Sequence, residues 1–170
     1  MLMALHAARM RQQADSYRVE RALTARVPTA DLVVVEQGHY RIGSRGEPFA
    51  YDNELPPQAV ELSGFRIAKR PVSNAEFLAF MSAEGYREGR LWSEEGRHWR
   101  DGSGAATPLH WRRDQAKCWY GIGLQGPVDL QPGAPVAGLS RHEAQAFATW
   151  VAELTGDLRG RCCNTSTSRR

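Results

Sequence analysis

Histidine, cysteine and tryptophan carry whatever site chemistry this 170-residue chain has, and their spacing is sparse. Cys162 and Cys163 are adjacent, which is poor geometry for a bond between them and the wrong spacing for a zinc site. Cys118 stands beside Trp119 and reads as a small buried apolar residue. His39, His98, His110 and His142 are scattered over unrelated segments, and no two of them have the spacing of a helical ligand pair. His6 falls on a predicted helix and has Leu2, not a second imidazole, four residues before it. Trp92, Trp99, Trp111 and Trp119 could line a ligand groove, but their placement in one glycine-rich stretch predicts anchors that pin loops to a core. Neither a phosphate-cradling glycine loop nor a nucleophile elbow is present. Asn164-Thr165-Ser166 is a glycosylation sequon by spacing, which matters only in a secreted chain.

Composition limits the partners. A content of 42% hydrophobic and 24% charged residues is that of a soluble globular domain with a moderate core. The net charge of +3 is too mild for a nucleic-acid surface, which shows as a concentrated basic face. The basic stretch from Arg87 to Arg113 is interrupted by Glu88, Glu94, Glu95 and Asp101. No segment reaches the roughly 20 apolar residues of a membrane span. The N-terminus lacks the features of a signal peptide, so a cytoplasmic setting is expected.

Two stretches stand out among the elements that must position these residues. "RPVSNAEFLAFMSAEGY", residues 70–86, has Ser73 and Glu76 at capping-box spacing, with Phe77, Phe80 and Met81 on one face and Gly85 as a left-handed stop. "PVAGLSRHEAQAFATWVAELTG", residues 135–156, repeats the arrangement. Ser140 and Glu143 form the box, Ala144, Phe147, Ala148, Val151 and Leu154 the predicted stripe, and Gly156 the stop. Residues 3–25 read as helical. Val33-Val34-Val35 and the run to Ile42 predict a hairpin turning at Gln37-Gly38, and residues 59–72 predict a strand with a bulge or tight turn at Ser63-Gly64. Residues 87–135 have little periodicity and read as irregular. Two amphipathic helices beside a few strands predict an α+β domain.

In that order, "VVEQGHYRIGS", "FAYDNELP", "VELSGFRIAKRPVSNAEFLAFM", "GY…LWSEEGRHW", "PLHW" and "PVAGLSRHEAQAFATWV" resemble the sulfatase-modifying-factor domain, the family of the formylglycine-generating enzyme. "FAYDNELP" and "LWSEEGRHW" look most like its ergothioneine-type (EgtB-like) branch of non-haem iron sulfoxide synthases. The resemblance covers about residues 32–156 and implies the first half of a modified C-type-lectin-like α+β domain. Residues 1–28 would then be a helical remnant of a DinB-like bundle or a linker, and residues 157–170 a disordered, aberrant tail.

The resemblance also implies chemistry. Iron(II) held by three histidines would activate dioxygen and join the sulfur of cysteine or γ-glutamylcysteine to the imidazole of trimethylhistidine, leaving a sulfoxide. The partners would be these small-molecule thiol and histidine-derivative substrates, with neither nucleic acid nor membrane. His6 is the one residue that falls near the family's His-x-x-x-His ligand pair, and the triad is incomplete. The family continues after "GLS" and its helix with an Arg-Leu-Pro-Thr-Glu type stretch, whereas here Gly156 is followed by "DLRGRCCNTSTSRR". Gln58 replaces a frequent histidine, and Arg141-His142 a frequent Trp-Tyr pair. The expectation is a truncated family member that neither binds iron nor turns over by itself. Two rivals remain: a formylglycine-generating-type oxidase using Cys162 and Cys163 for copper, and a non-catalytic lectin-like module binding through residues 92–119.

Overall fold

The computed structural model describes residues 16–29, 31–46 and 49–156. The chain divides into two compact units, one built from residues 71–156 with the N-terminal segment up to Thr29, the other from residues 31–70.

In the smaller unit, β1 (Leu32–Val35) pairs antiparallel with β4 (Phe65–Ala68), and β2 (Gly38–Ile42) with β3 (Gln58–Leu62). The predicted hairpin between β1 and β2 does not form. Val35 lies opposite Phe65 and Gly38 opposite Leu62, so both ladders share one register, broken at Glu36-Gln37 and Ser63-Gly64. The turn therefore lies at residues 43–57. Gly43 makes it possible: its φ is +96°, and a Cβ there would stand 2.6 Å from the carbonyl oxygen of Glu54. That carbonyl accepts the N–H of Ser44 at 2.9 Å, closing the loop. Gln37-Gly38 and Ser63-Gly64 have the composition of turns, but cross-strand pairing at matched register satisfies more backbone groups than two local hairpins would.

The larger unit holds the core. Helices α1 (Asn74–Ser82) and α3 (Arg141–Thr155) both open with the predicted capping boxes, Ser73 with Glu76 and Ser140 with Glu143. Their Pro-Val preludes lie side by side. Ser73 bridges antiparallel to Pro135, the N–H of Val136 reaches the carbonyl of Val72 at 2.9 Å, and the N–H of Asn74 reaches that of Ala134 at 2.9 Å. Phe77 and Phe80 of α1 pack on Phe147 and Trp150 of α3, with ring centroids 5.6–5.9 Å apart. Tyr86, Leu91, Trp92 and Ala146 complete the cluster.

Two details differ from expectation. Helix α3 buries Glu143, Ala146, Phe147 and Trp150, while Ala144 and Leu154 face solvent. The large Trp150 ring and the bonded Glu143 carboxylate set the rotation of the helix. At the end of α1 the left-handed residue is Glu84, with φ +58°, not Gly85. The N–H of Glu84 bonds the carbonyl of Met81 and that of Gly85 the carbonyl of Phe80, which is a Schellman closure. Gly85 is needed for another reason: a Cβ there would lie 2.2 Å from the Phe80 ring.

Residues 87–135, expected to be irregular, contain regular structure. Helix α2 (Glu94–Ser103) is capped by Ser93 and stopped by left-handed Gly104. Strands β5 (Trp111–Arg113), β6 (Trp119–Gly123) and β7 (Gly126–Asp129) form an antiparallel meander in the order β5-β6-β7. These elements are short and glycine-rich, so no hydrophobic period marks them in the sequence.

Residues 17–25, the described part of the stretch expected to be helical apart from Ser16, form no regular element on the larger unit and bend at Glu20-Arg21. Tyr17 and Val19 turn inward while Arg18 and Glu20 face solvent. The N–H of Val19 bonds Asp114 at 3.1 Å, and those of Glu20 and Arg21 bond Asp129 at 3.2 and 3.0 Å. Tyr17 donates its hydroxyl to Asp129 at 2.9 Å and packs its ring 5.1 Å from that of Tyr120. Helix propensity is worth only tenths of a kcal/mol per residue, and these tertiary bonds outweigh it.

Candidate functional site

The end of α1, the loop before β5 and the paired ends of β5 and β6 enclose an open cleft of about 430 Å³. Leu78, Met81 and Ala106 give it apolar walls, and Ser82 and Thr107 add hydroxyls. Arg113 and Trp119 are directly opposite each other across the β5-β6 ladder. The Arg113 guanidinium sits 4.3 Å from the centroid of the Trp119 ring, a cation–π contact at the cleft wall. Arg87 also lines it, held by Glu84 at 2.8 Å. Glu84 lines the cleft too and offsets Arg87, which leaves the Arg113 guanidinium on the tryptophan face to suit a small ligand with a planar or apolar part.

Tyr86 also contributes to the lining. Its hydroxyl donates to the buried Glu143 carboxylate, and burial followed by that bond pushes its pKa far above the usual phenol value. It therefore keeps its proton throughout the physiological range. The Glu143 Oε2 accepts the N–H of Ser140 at 2.6 Å, so one carboxylate serves both the helix cap and the tyrosine.

The tryptophans divide between roles. Trp92 and Trp111 are buried: the Trp92 indole N–H donates to the Gly85 carbonyl at 2.9 Å and anchors its loop as expected, whereas Trp111 seats strand β5, its ring 6.4 Å from that of Phe77. Trp99 stacks between Trp92 and the His142 ring, with centroids 6.4 and 5.4 Å away. Trp119 alone of the four lines the cleft. Sequence reasoning did not find Arg113 as its partner. The signal was the cross-strand position of Arg113, which exists only once the register is known.

No iron centre is assembled from the described residues. They contain no group of three or more His, Cys, Asp or Glu side chains able to hold a metal ion. His39, His98 and His110 are exposed on separate elements, and His142 is packed on Trp99. These residues do not fit the three-imidazole set. His6, Cys162 and Cys163 lie outside the described residues, as does the tail from 157 to 170. Among the described residues no helix is long and apolar enough to cross a membrane.

Comparison with known proteins agrees with this architecture. The chain is 38% identical over 105 residues to the hercynine oxygenase of Mycolicibacterium thermoresistibile, covering 62% of this chain and 23% of the relative. It is 34% identical over 111 residues to that of Mycobacterium tuberculosis, covering 65% and 25%. The formylglycine-generating enzyme of Streptomyces coelicolor is 30% identical over 143 residues, covering 74% of this chain and 43% of that protein. The chain thus spans about a quarter of the length of the hercynine oxygenases it matches. The sulfatase-modifying factor enzyme 1-like domain matches residues 19–159, and with its two box-capped helices on one aromatic core the chain belongs to that family.

Proposed function

We propose that this chain is part of a hercynine-oxygenase-type sulfoxide synthase, acting in the cytoplasm in ergothioneine formation. The observation that carries the reading is the 38% identity to a hercynine oxygenase over 105 residues. Hercynine is trimethylhistidine, and the thiol is cysteine or γ-glutamylcysteine. Overall, the imidazole C–H and the thiol S–H are lost and a C–S bond forms. One oxygen atom of O2 ends on sulfur as the sulfoxide and the other leaves as water. Iron(II) belongs to the parent reaction. The described residues of this chain supply scaffold, not metal ligands, and the chain alone is inactive.

The test is a chimera in which residues 32–156 replace the matching stretch of the Mycolicibacterium thermoresistibile enzyme. Sulfoxide formation from trimethylhistidine and γ-glutamylcysteine is expected. A folded, iron-loaded chimera that consumes neither substrate would remove the reading. The unmodified chain given iron(II), both substrates and oxygen should yield no product.

The similarity to a formylglycine-generating enzyme, which extends over 143 residues, favours a second reading as a copper-dependent cysteine oxidase. Copper titration of Cys162→Ala/Cys163→Ala separates the two. Binding unchanged by the double substitution excludes a copper site built on those thiols.

A further inference from the structure

The two carboxylates that hold residues 17–21 are not explained by the chemistry of the family reading or by the core. Asp114 closes the β5-β6 connection by accepting the N–H of Cys118 at 2.8 Å, and still offers its other oxygen to Val19 at 3.1 Å. Asp129 ends β7 and directs Oδ1 to the Tyr17 hydroxyl and Oδ2 to the N–H groups of Glu20 and Arg21. Four donors of one short segment are thus met by two side chains from the far end of the sequence. Hydrogen bonds to an ionised acceptor are roughly twice as strong as neutral ones.

Charge agrees at the contact itself. Residues 17–26 carry Arg18, Arg21 and Arg26 against one acid, Glu20, and meet the two carboxylates of Asp114 and Asp129. Arg18 lies near enough to Asp114 to favour its charged form. Three of the four donors are backbone N–H groups, two of them converging on one oxygen at the Glu20-Arg21 bend, so the dock reads the backbone more than particular side chains. Tyr17 adds the side-chain element, its ring on Tyr120 and its hydroxyl on Asp129. A second attachment follows where the N–H of Arg26 bonds the carbonyl of Ala75 in α1 at 3.0 Å.

We propose that Asp114 and Asp129 form a docking site on the β-meander for the polypeptide that enters the domain, fixing where and in what direction that preceding segment leaves it. The occupant is the chain's own basic segment, headed by Tyr17. This goes beyond the enzymatic reading and does not depend on it, because the dock would orient any module joined N-terminally to the domain.

Amide hydrogen exchange on the intact 170-residue chain tests it, without reference to activity. In Asp129→Ala the amides of Glu20 and Arg21 should exchange about tenfold faster or more. In Asp114→Asn, which keeps an oxygen for Cys118, the larger change should fall on Val19. The amides of Ile122 and Val136, bonded to His110 and Val72, report whether the meander and core remain folded. Trypsin should cut faster after Arg18 and Arg21 in both variants. Should Asp129→Ala unfold the domain, Tyr17→Phe removes one dock bond from outside the core and should raise exchange at Glu20 and Arg21 more modestly. Wild-type protection at residues 19–21 in the folded variants would overturn the proposal, as would a Tyr17→Phe loss at Ile122 and Val136 equal to that at Glu20 and Arg21.

Discussion

The Tyr86 hydroxyl and the Glu143 carboxylate, 57 residues apart in sequence, are bonded to each other inside the core. Glu143 is 2% exposed and also receives the N–H of Ser140, so the start of α3 and the loop after α1 are tied through one side chain. A helix cap that could have been a purely local device has become a tertiary contact.

Removing the hydroxyl in Tyr86→Phe leaves a buried carboxylate oxygen without its donor. The loss should be about 1–3 kcal/mol of unfolding free energy, read by urea denaturation. Glu143→Gln should cost less when made in the Tyr86→Phe background than in the wild type, the mark of coupling. Additive effects would mean that the bond contributes nothing.

The same pair sets an alkaline limit. Burial first, then the bond to Glu143, raises the Tyr86 pKa above its ordinary value of 10.0. The folded state therefore keeps a proton that the unfolded chain releases. Stability is fully present below pH 10 and falls as the pH rises above it. Tm measured from pH 8 to 11 should decline more steeply in wild type than in Tyr86→Phe. Parallel curves would contradict the assignment.

The end of α1 predicts opposite outcomes at neighbouring residues. Gly85→Ala would drive a methyl into the Phe80 ring and should destabilise by about 1–3 kcal/mol. Glu84→Gly relieves a positive φ at an exposed residue and should be neutral or stabilising by up to about 1 kcal/mol. Thermal melts of the two single variants decide it. A stable Gly85→Ala protein would show that Phe80 can move aside.

Acid should release the N-terminal strap. The N–H of Val19, foremost, with those of Cys118 and Ala116 and the charge of Arg18, lowers the Asp114 pKa below 3.8. Its contribution is present above the ordinary carboxylate range and is lost as the pH falls through the lowered value. Exchange protection at Val19 should persist at pH 5 and fall away below about pH 4. In Asp114→Asn that pH dependence should be blunted.

The smaller unit predicts self-association. Val34, Ile42 and Ile67 are 59%, 57% and 54% exposed on ladders that have only two strands each among the described residues. Edge strands with apolar side chains invite pairing with other chains. Sedimentation should show concentration-dependent association, reduced by Ile67→Lys. A monomer at all concentrations would remove this expectation.

Features whose information is local were legible along the chain. Ser73 with Glu76, Ser140 with Glu143 and the left-handed Gly156 lie within a turn or two of the groups they satisfy, so spacing alone located both helices. The ordered motifs from "VVEQGHYRIGS" to "PVAGLSRHEAQAFATWV" carried the family for a similar reason, since order and spacing along one chain are what they record. Whatever depends on a distant partner was not legible there. Residues 19–21 are drawn out of the expected helix because Asp114 and Asp129, 95 and 108 positions away from Val19 and Arg21, take their N–H groups. Strand β1 pairs with β4 because a shared register, not the nearest turn, satisfies its backbone. Arg113 meets Trp119 only through the β5-β6 ladder, and Glu84 takes the left-handed role expected of Gly85, which instead leaves room for the Phe80 ring. Local bonds can be read along the chain; contacts that compete with them are fixed only when the whole chain has folded.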